Sequence, residues 1–137
     1  VNDITPLAGL KNLEDLELSG PPVLDLAPLA NLTNLRQVAL SFAPASPNLS
    51  ALSKLVNLKS LKIGPSLKAK EARIKDLSPL ANLTNLERLE IKKGQTTDLT
   101  PLSGLKNLKE LNLVGNPILE DQKAMLKKAL PNCKITF

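Results

Sequence analysis

Asp15 and Glu17 are paired carboxylates, separated by one leucine, in a 137-residue sequence that contains no histidine. A carboxylate pair can share acid and base roles when it faces a pocket. Here the two fall on successive outward positions of an alternating stretch, Asp15-Leu16-Glu17-Leu18, and no pocket is implied. Without histidine the usual general base near neutral pH is missing. The single cysteine, Cys133, has no second thiol or imidazole to activate it or to complete a metal set. The six glycines are scattered, so no phosphate-cradling loop forms. These residues argue against an enzyme and call for no cofactor or metal.

What remains for the polar groups is recognition. Composition narrows the partner. The net charge of +5 is uneven: residues 1–50 hold two basic against five acidic side chains, a net of −3, and residues 51–137 hold sixteen against eight, a net of +8. A basic half can attract nucleic acid, an acidic membrane or an acidic protein. Nucleic acid is disfavoured, because Phe42 and Phe137 are the only aromatic residues and nothing can stack on bases. No apolar run approaches the roughly 18 residues of a membrane span. An acidic membrane surface and an acidic protein stay open on composition alone.

The elements that position these groups come from a repeat. Five copies read DITPLAGLKNLEDLEL (3–18), DLAPLANLTNLRQVAL (25–40), NLSALSKLVNLKSLKI (48–63), DLSPLANLTNLERLEI (76–91) and DLTPLSGLKNLKELNL (98–113), with starts 22, 23, 28 and 22 residues apart. In every copy apolar residues fall at offsets 1, 4, 7, 10, 13 and 15. The end of each block alternates, which predicts a half-buried strand. The earlier part has apolar residues three apart, which suits a 3₁₀ or short α turn. Pro6, Pro28, Pro79 and Pro101 open that turn, where a missing N–H costs least. Asp3, Asp25, Asn48, Asp76 and Asp98 stand just upstream and can accept from its N–H groups. Asn12, Asn34, Asn57, Asn85 and Asn107 recur once per copy and are read as structural partners of the backbone.

A core of one aliphatic shape packs badly in a globule. In a stack, each leucine meets the same niche in the next copy. After Asn116-Pro117, the stretch Leu119–Ala129 reads as an amphipathic capping helix, with Leu119, Gln122, Met125, Leu126, Ala129 and Leu130 on one face. Glu120 and Asp121 lie early in it and Lys127 and Lys128 late, in keeping with the helix dipole. Residues 133–137 can add a last strand, and Cys133 reads as a small hydrophobe in this cap.

The unit D-L-x-P-L-x-x-L-x-N-L-x-x-L-x-L resembles the 22-residue leucine-rich repeats of bacterial internalin-like proteins and of phosphatase regulatory subunits of the same class. The resemblance covers residues 3–117, and the ending LPNCKITF is similar to the closing segment of bacterial leucine-rich-repeat proteins. It implies an α/β leucine-rich-repeat solenoid: a right-handed arc with a concave parallel sheet that grips a protein, short 3₁₀ or α turns outside, and a C-terminal capping helix. The family motif continues L-x-L-x-x-N. Here the Asn positions hold Pro21, Ala43, Ser66, Gly94 and Asn116, so only the last copy keeps it. The ascending edge is therefore expected to be irregular in the first four repeats, with backbone groups that need other partners.

A single domain is expected over 1–137, with repeats at 3–24, 25–47, 48–75, 76–97 and 98–117 and a cap at 118–137. The start at Val1, partway into a repeat, reads as a fragment of a longer chain. The candidate protein-binding residues are Asp15, Glu17, Gln37, Ser41, Phe42, Lys62, Arg88, Glu90, Lys92, Glu110 and Asn112. The full outward set adds Ser19, Ala39, Ser60, Gly64 and Val114. Phe42 is either packed on the ascending edge or an exposed contact. The enlarged loop 64–75 carries Lys68, Lys70, Arg73 and Lys75, which can meet acidic groups on a partner or simply keep the loop solvated. The reading is a non-catalytic recognition module, monomeric, secreted or at the cell surface rather than cytoplasmic. An intracellular regulatory or inhibitory subunit, of immunity or phosphatase-regulator type, is the alternative; an architectural spacer is a third.

Overall fold

The computed structural model describes residues 3–19, 25–42, 48–66, 70, 73, 74 and 76–137. Each alternating block forms a strand: β1 (Asp15–Leu18), β2 (Gln37–Phe42), β3 (Ser60–Pro65), β4 (Arg88–Ile91) and β5 (Glu110–Asn112), followed by β6 (Lys134–Thr136). They make one parallel sheet in chain order, not closed into a barrel. Between strands the chain crosses back through 3₁₀ turns at Thr5–Gly9, Ala27–Leu29, Leu49–Lys54, Ser78–Leu80 and Thr100–Leu102, and helix α1 (Glu120–Ala129) closes the C-terminal end. This is a leucine-rich-repeat solenoid.

The registers are unslipped. Leu16 lies beside Val38, Val38 beside Leu61, Leu61 beside Leu89, Leu89 beside Leu111 and Leu111 beside Ile135. A one-residue slip would turn every leucine outward, so the buried row fixes the pairing. From the second repeat on, the turn and strand leucines are nearly all sealed; Leu29, Leu32, Leu35, Leu61 and Leu86 have no exposure. The first repeat has no neighbour on its other side among the described residues. Its Leu7, Leu13, Leu16 and Leu18 are only half-buried, and Leu10 is 49% exposed.

Two polar devices repeat with the leucines. At each turn the upstream carboxylate or amide oxygen accepts the N–H two residues on: Thr5 to Asp3, Ala27 to Asp25, Ser50 to Asn48, Ser78 to Asp76 and Thr100 to Asp98, all at 2.8–3.0 Å. Along the stack, the recurring Asn of the second to fifth copies donates to a carbonyl of the preceding copy. Asn34 Nδ2 reaches Lys11 O, Asn57 reaches Thr33 O, Asn85 reaches Val56 O and Asn107 reaches Thr84 O, at 2.7–2.9 Å.

The turn carboxylates give the fold an acid-sensitive step. The Thr5, Ser78 and Thr100 hydroxyls, and then their backbone N–H groups, hold Asp3, Asp76 and Asp98 below the ordinary carboxylate range. A depressed folded value means that the unfolded chain takes up these protons first on acidification. The stabilisation is thus complete above about pH 4 and is lost as pH falls through the lowered folded values. Thermal melts between pH 5 and 2 should show the midpoint falling, and Asp76→Asn should flatten part of that fall. Asn48 already performs the same turn without a titrating group.

The ascending edge is irregular in the fourth repeat, as expected, and the fifth repeat repairs it. Lys93 (φ 49°) and Gln95 (φ 57°) are left-handed, as is Gly115 (φ 82°). Asn116 Oδ1 accepts from Gly94 N–H at 2.9 Å and Thr96 N–H at 3.2 Å, and its Nδ2 donates to Ile91 O and Leu113 O at 2.6 and 2.7 Å. Thr96, fully buried, donates its hydroxyl to Ile74 O at 2.7 Å, and Ile74 N–H reaches Gly94 O at 2.7 Å. A Cβ on Gly94 would lie 3.1 Å from Ile91 Cγ2 and 3.2 Å from Asn116 Oδ1. Restoring the motif by Gly94→Asn should therefore destabilise, by about 1–3 kcal/mol, as overpacking does. A lower urea midpoint at unchanged slope would measure it. The edge positions Pro21 and Ala43, and the loop residues Lys68 and Lys75, lie outside the described residues.

The cap differs from its sequence reading at one end. Leu126 and Leu130 are buried and Met125 and Ala129 pack on the core, but Leu119 is 69% exposed. It sits at the helix N-cap with extended dihedrals (φ −74°, ψ 154°), so it leaves the helical stripe that the spacing assumed. Gln122 turns inward to accept Leu99 N–H at 3.0 Å, closing the last repeat. Lys106 Nζ donates to Ala129 O at 2.7 Å at the helix C-terminus, where a cation suits the dipole. Lys123 and Lys127 lie 5.4 and 5.5 Å from the Phe137 ring centre. Cys133 is half-buried against the core, and burial raises its thiol above the ordinary range, as does Glu110.

Candidate functional site

With leucines facing in, the alternate side chains of every strand face the concave surface. The register sorts them into rows. Asp15, Gln37, Ser60, Arg88, Glu110 and Lys134 form one; Glu17, Ala39, Lys62, Glu90, Asn112 and Thr136 form the next; Ser41 and Gly64 begin a third. Neighbours in a row stand roughly 4.8 Å apart, so each row is a ladder of adjacent functional groups on a rigid, leucine-backed base.

Charges pair within and between these rows. Arg88 Nε lies 3.9 Å from Glu110, both side chains mostly exposed, and Lys92 Nζ lies 3.1 Å from Glu90. Such exposed pairs stabilise a fold by no more than about 1 kcal/mol; their effect is to fix where the charges stand. Asn112 Oδ1 accepts from Val114 N–H at 3.1 Å, which ties its carbonyl to the strand end and leaves its amide NH2 as a donor. Off this face, Lys109 pairs with Glu87 at 2.9 Å, and this contact, with Lys59 and Arg88 nearby, holds Glu87 below the ordinary range. An open hollow of about 400 Å³ over β3–β6 is lined by Arg88, Glu90, Glu110, Asn112 and Lys134 among others.

No family model and no curated protein matches the sequence. Solved structures do. Internalin C2 of Listeria monocytogenes superposes with a TM-score of 0.83 at 32% identity, over 99% of this chain and 56% of that one. The chain has the leucine-rich-repeat fold and is similar to internalins and other bacterial leucine-rich-repeat proteins. Internalin F of the same organism gives 0.71 at 25% identity, over 100% of this chain and 47% of that one. A leucine-rich-repeat protein of Leptospira interrogans gives 0.81 at 27% identity, over 100% and 34%. The chain thus spans about half the length of the first two relatives and about a third of the last.

In this internalin-like sheet, Asp15, Glu17, Gln37, Ser41, Lys62, Arg88, Glu90, Glu110 and Asn112 occupy outward strand positions, and Lys92 follows β4 directly. Phe42 closes β2 opposite Pro65; its side chain lies outside the described residues. The candidate set omitted Lys134 and Thr136, which extend the first two rows by one strand. The signal was present, because Lys134-Ile135-Thr136 alternates like the blocks before it. Among the described residues no helix is long and apolar enough to cross a membrane.

Proposed function

We propose that this domain recognises another protein through the concave face of its sheet. The observation that carries the reading is the unslipped register, which sets charged and amide side chains from six strands in fixed rows on a sealed leucine core. Preorganised groups of this kind lose little freedom on binding. The likeness to internalins supports a protein as the partner class. The face lacks the Trp and Tyr that anchor many tight interfaces, so complementarity of charge has to supply much of the specificity.

Affinity capture from the native cell, read by mass spectrometry, would supply the partner. Reversals Glu17→Lys, Lys62→Glu, Arg88→Glu and Lys92→Glu, made singly and together, should then weaken capture, the combined variant by at least about a hundredfold, which is roughly 2.7 kcal/mol. If the combined variant holds every partner at the original affinity, the concave face is not the contact surface.

A further inference from the structure

Between β1 and β4 the concave face is not a uniform carpet of charge. Among the described residues Asp15, Glu17 and Lys62 enter no ion pair, whereas Arg88, Glu90, Lys92 and Glu110 do. The unpaired acids stand on β1 and the unpaired base on β3. Across the same row the residue between Glu17 and Lys62 is Ala39. Ser41 and Gly64, side by side in the next row, are also small. The result is two adjoining hollows, of about 430 and 360 Å³, that share Glu17, Ala39 and Lys62 in their linings. Together they form one trough that follows the strands, floored by Ala39, Ser41 and Gly64 with Gln37 at one end. The carboxylates of Asp15 and Glu17 stand on the β1 side; on the other are the ammonium groups of Lys62 and of Lys92, the latter paired with Glu90.

The dimensions select what can lie there. Two strand spacings separate Glu17 from Lys62, roughly 9.6 Å between backbones, and the two side chains stand apart across Ala39 without pairing. An α-helix, about 10–12 Å across with its side chains, is too wide to reach the floor. An extended segment fits, and its side chains leave it alternately to left and right. Laid along the trough, it would present one parity of side chains to Glu17 and Asp15 and the other to Lys62 and Lys92.

We infer that the trough over β2 and β3 holds an extended segment of a partner protein in which basic and acidic residues alternate. This rests on the concave-face reading and sharpens it, by giving both the occupant's backbone shape and its charge order. The bound segment bridges the unpaired Asp15, Glu17 and Lys62 and competes with Glu90 for Lys92. A block of one sign, by contrast, would set half its charges against the like wall.

Two octapeptide probes of identical composition test it: Ser-Arg-Glu-Arg-Glu-Arg-Glu-Ser and its block isomer Ser-Arg-Arg-Arg-Glu-Glu-Glu-Ser. Binding would be followed by amide chemical-shift changes in Ala39, Ser41 and Gly64. The alternating peptide should bind at least about tenfold more tightly than the block isomer, and more weakly as salt is raised. Asp15→Lys with Glu17→Lys, which makes the β1 wall basic, should cancel that preference. Adding Lys62→Glu and Lys92→Glu to that pair exchanges the walls, and alternation is symmetric under exchange, so the preference should return. Equal binding of the isomers, indifference to the Asp15→Lys, Glu17→Lys pair, failure of the exchange to restore it, or no binding at about millimolar peptide each overturns the trough. Capture of a protein partner that survives Asp15→Lys with Glu17→Lys but fails with Arg88→Glu would leave concave recognition standing while removing this occupant.

Discussion

Leu61→Ala is expected to destabilise the domain by about 2–5 kcal/mol, the range found when a fully enclosed leucine is truncated. Leu61 has no exposure, and it lies in register between Val38 and Leu89 at the middle of the sheet. The surrounding leucines belong to a stack held at a fixed spacing, so they cannot close in on the void. Leu16→Ala is the control. Leu16 is chemically the same position in β1, but half-buried, with a strand on only one side among the described residues. It should cost less than half as much. The central variant should also change the shape of unfolding. Each repeat touches only its neighbours, so weakening one middle interface uncouples the two ends of the stack. A urea titration should then show a shallower or two-step transition, whereas Leu16→Ala should keep a single one.

Asn116→Ala should cost about 3 kcal/mol, a large effect for a group that is only part-buried. Its amide satisfies two donors and two acceptors at once, at Gly94, Thr96, Ile91 and Leu113. Truncation leaves these groups to a site where a methyl has replaced the amide, at about 1–3 kcal/mol for each that water fails to reach. Asn116→Asp separates hydrogen bonding from shape. It keeps an acceptor for the two N–H groups but aims a second oxygen at the Ile91 and Leu113 carbonyls. At neutral pH it should be at least as damaging as the alanine variant. Its deficit should shrink as pH falls, because protonation supplies one donor; a deficit independent of pH would argue that the network contributes little.

The leucine lattice was legible because its signal is periodic: six apolar offsets repeated five times leave no second arrangement that buries them all. Turn carboxylates were legible for the same reason, since each acts on a residue two positions away. What the sequence left open depends on neighbours across repeats. Gly94 reads as a lost Asn; only the structure shows that a Cβ there would crowd Ile91 and the Asn116 amide, at 3.1 and 3.2 Å. Leu119 fits the helical stripe by spacing, yet it belongs to the N-cap, where the dihedrals are not helical. The concave rows follow from alternation alone, but which charges are spent on one another follows from register. Hence Arg88 and Glu110 look as free in the sequence as Asp15 and Lys62 do.

Ile74 carries a last consequence. Buried at 2% exposure, it receives the Thr96 hydroxyl on its carbonyl and gives its N–H to Gly94 O. Its place, two residues ahead of Asp76, matches that of Thr96 ahead of Asp98, although six extra residues precede it in the third copy. The chain therefore re-enters the lattice at a fixed latch, whatever length came before. Doubling a loop costs only about 0.6 kcal/mol in closure entropy. The segment ahead of Ile74 is thus a place where foreign sequence can be spliced in, or where a lineage can experiment with length, while the repeats on either side keep their register.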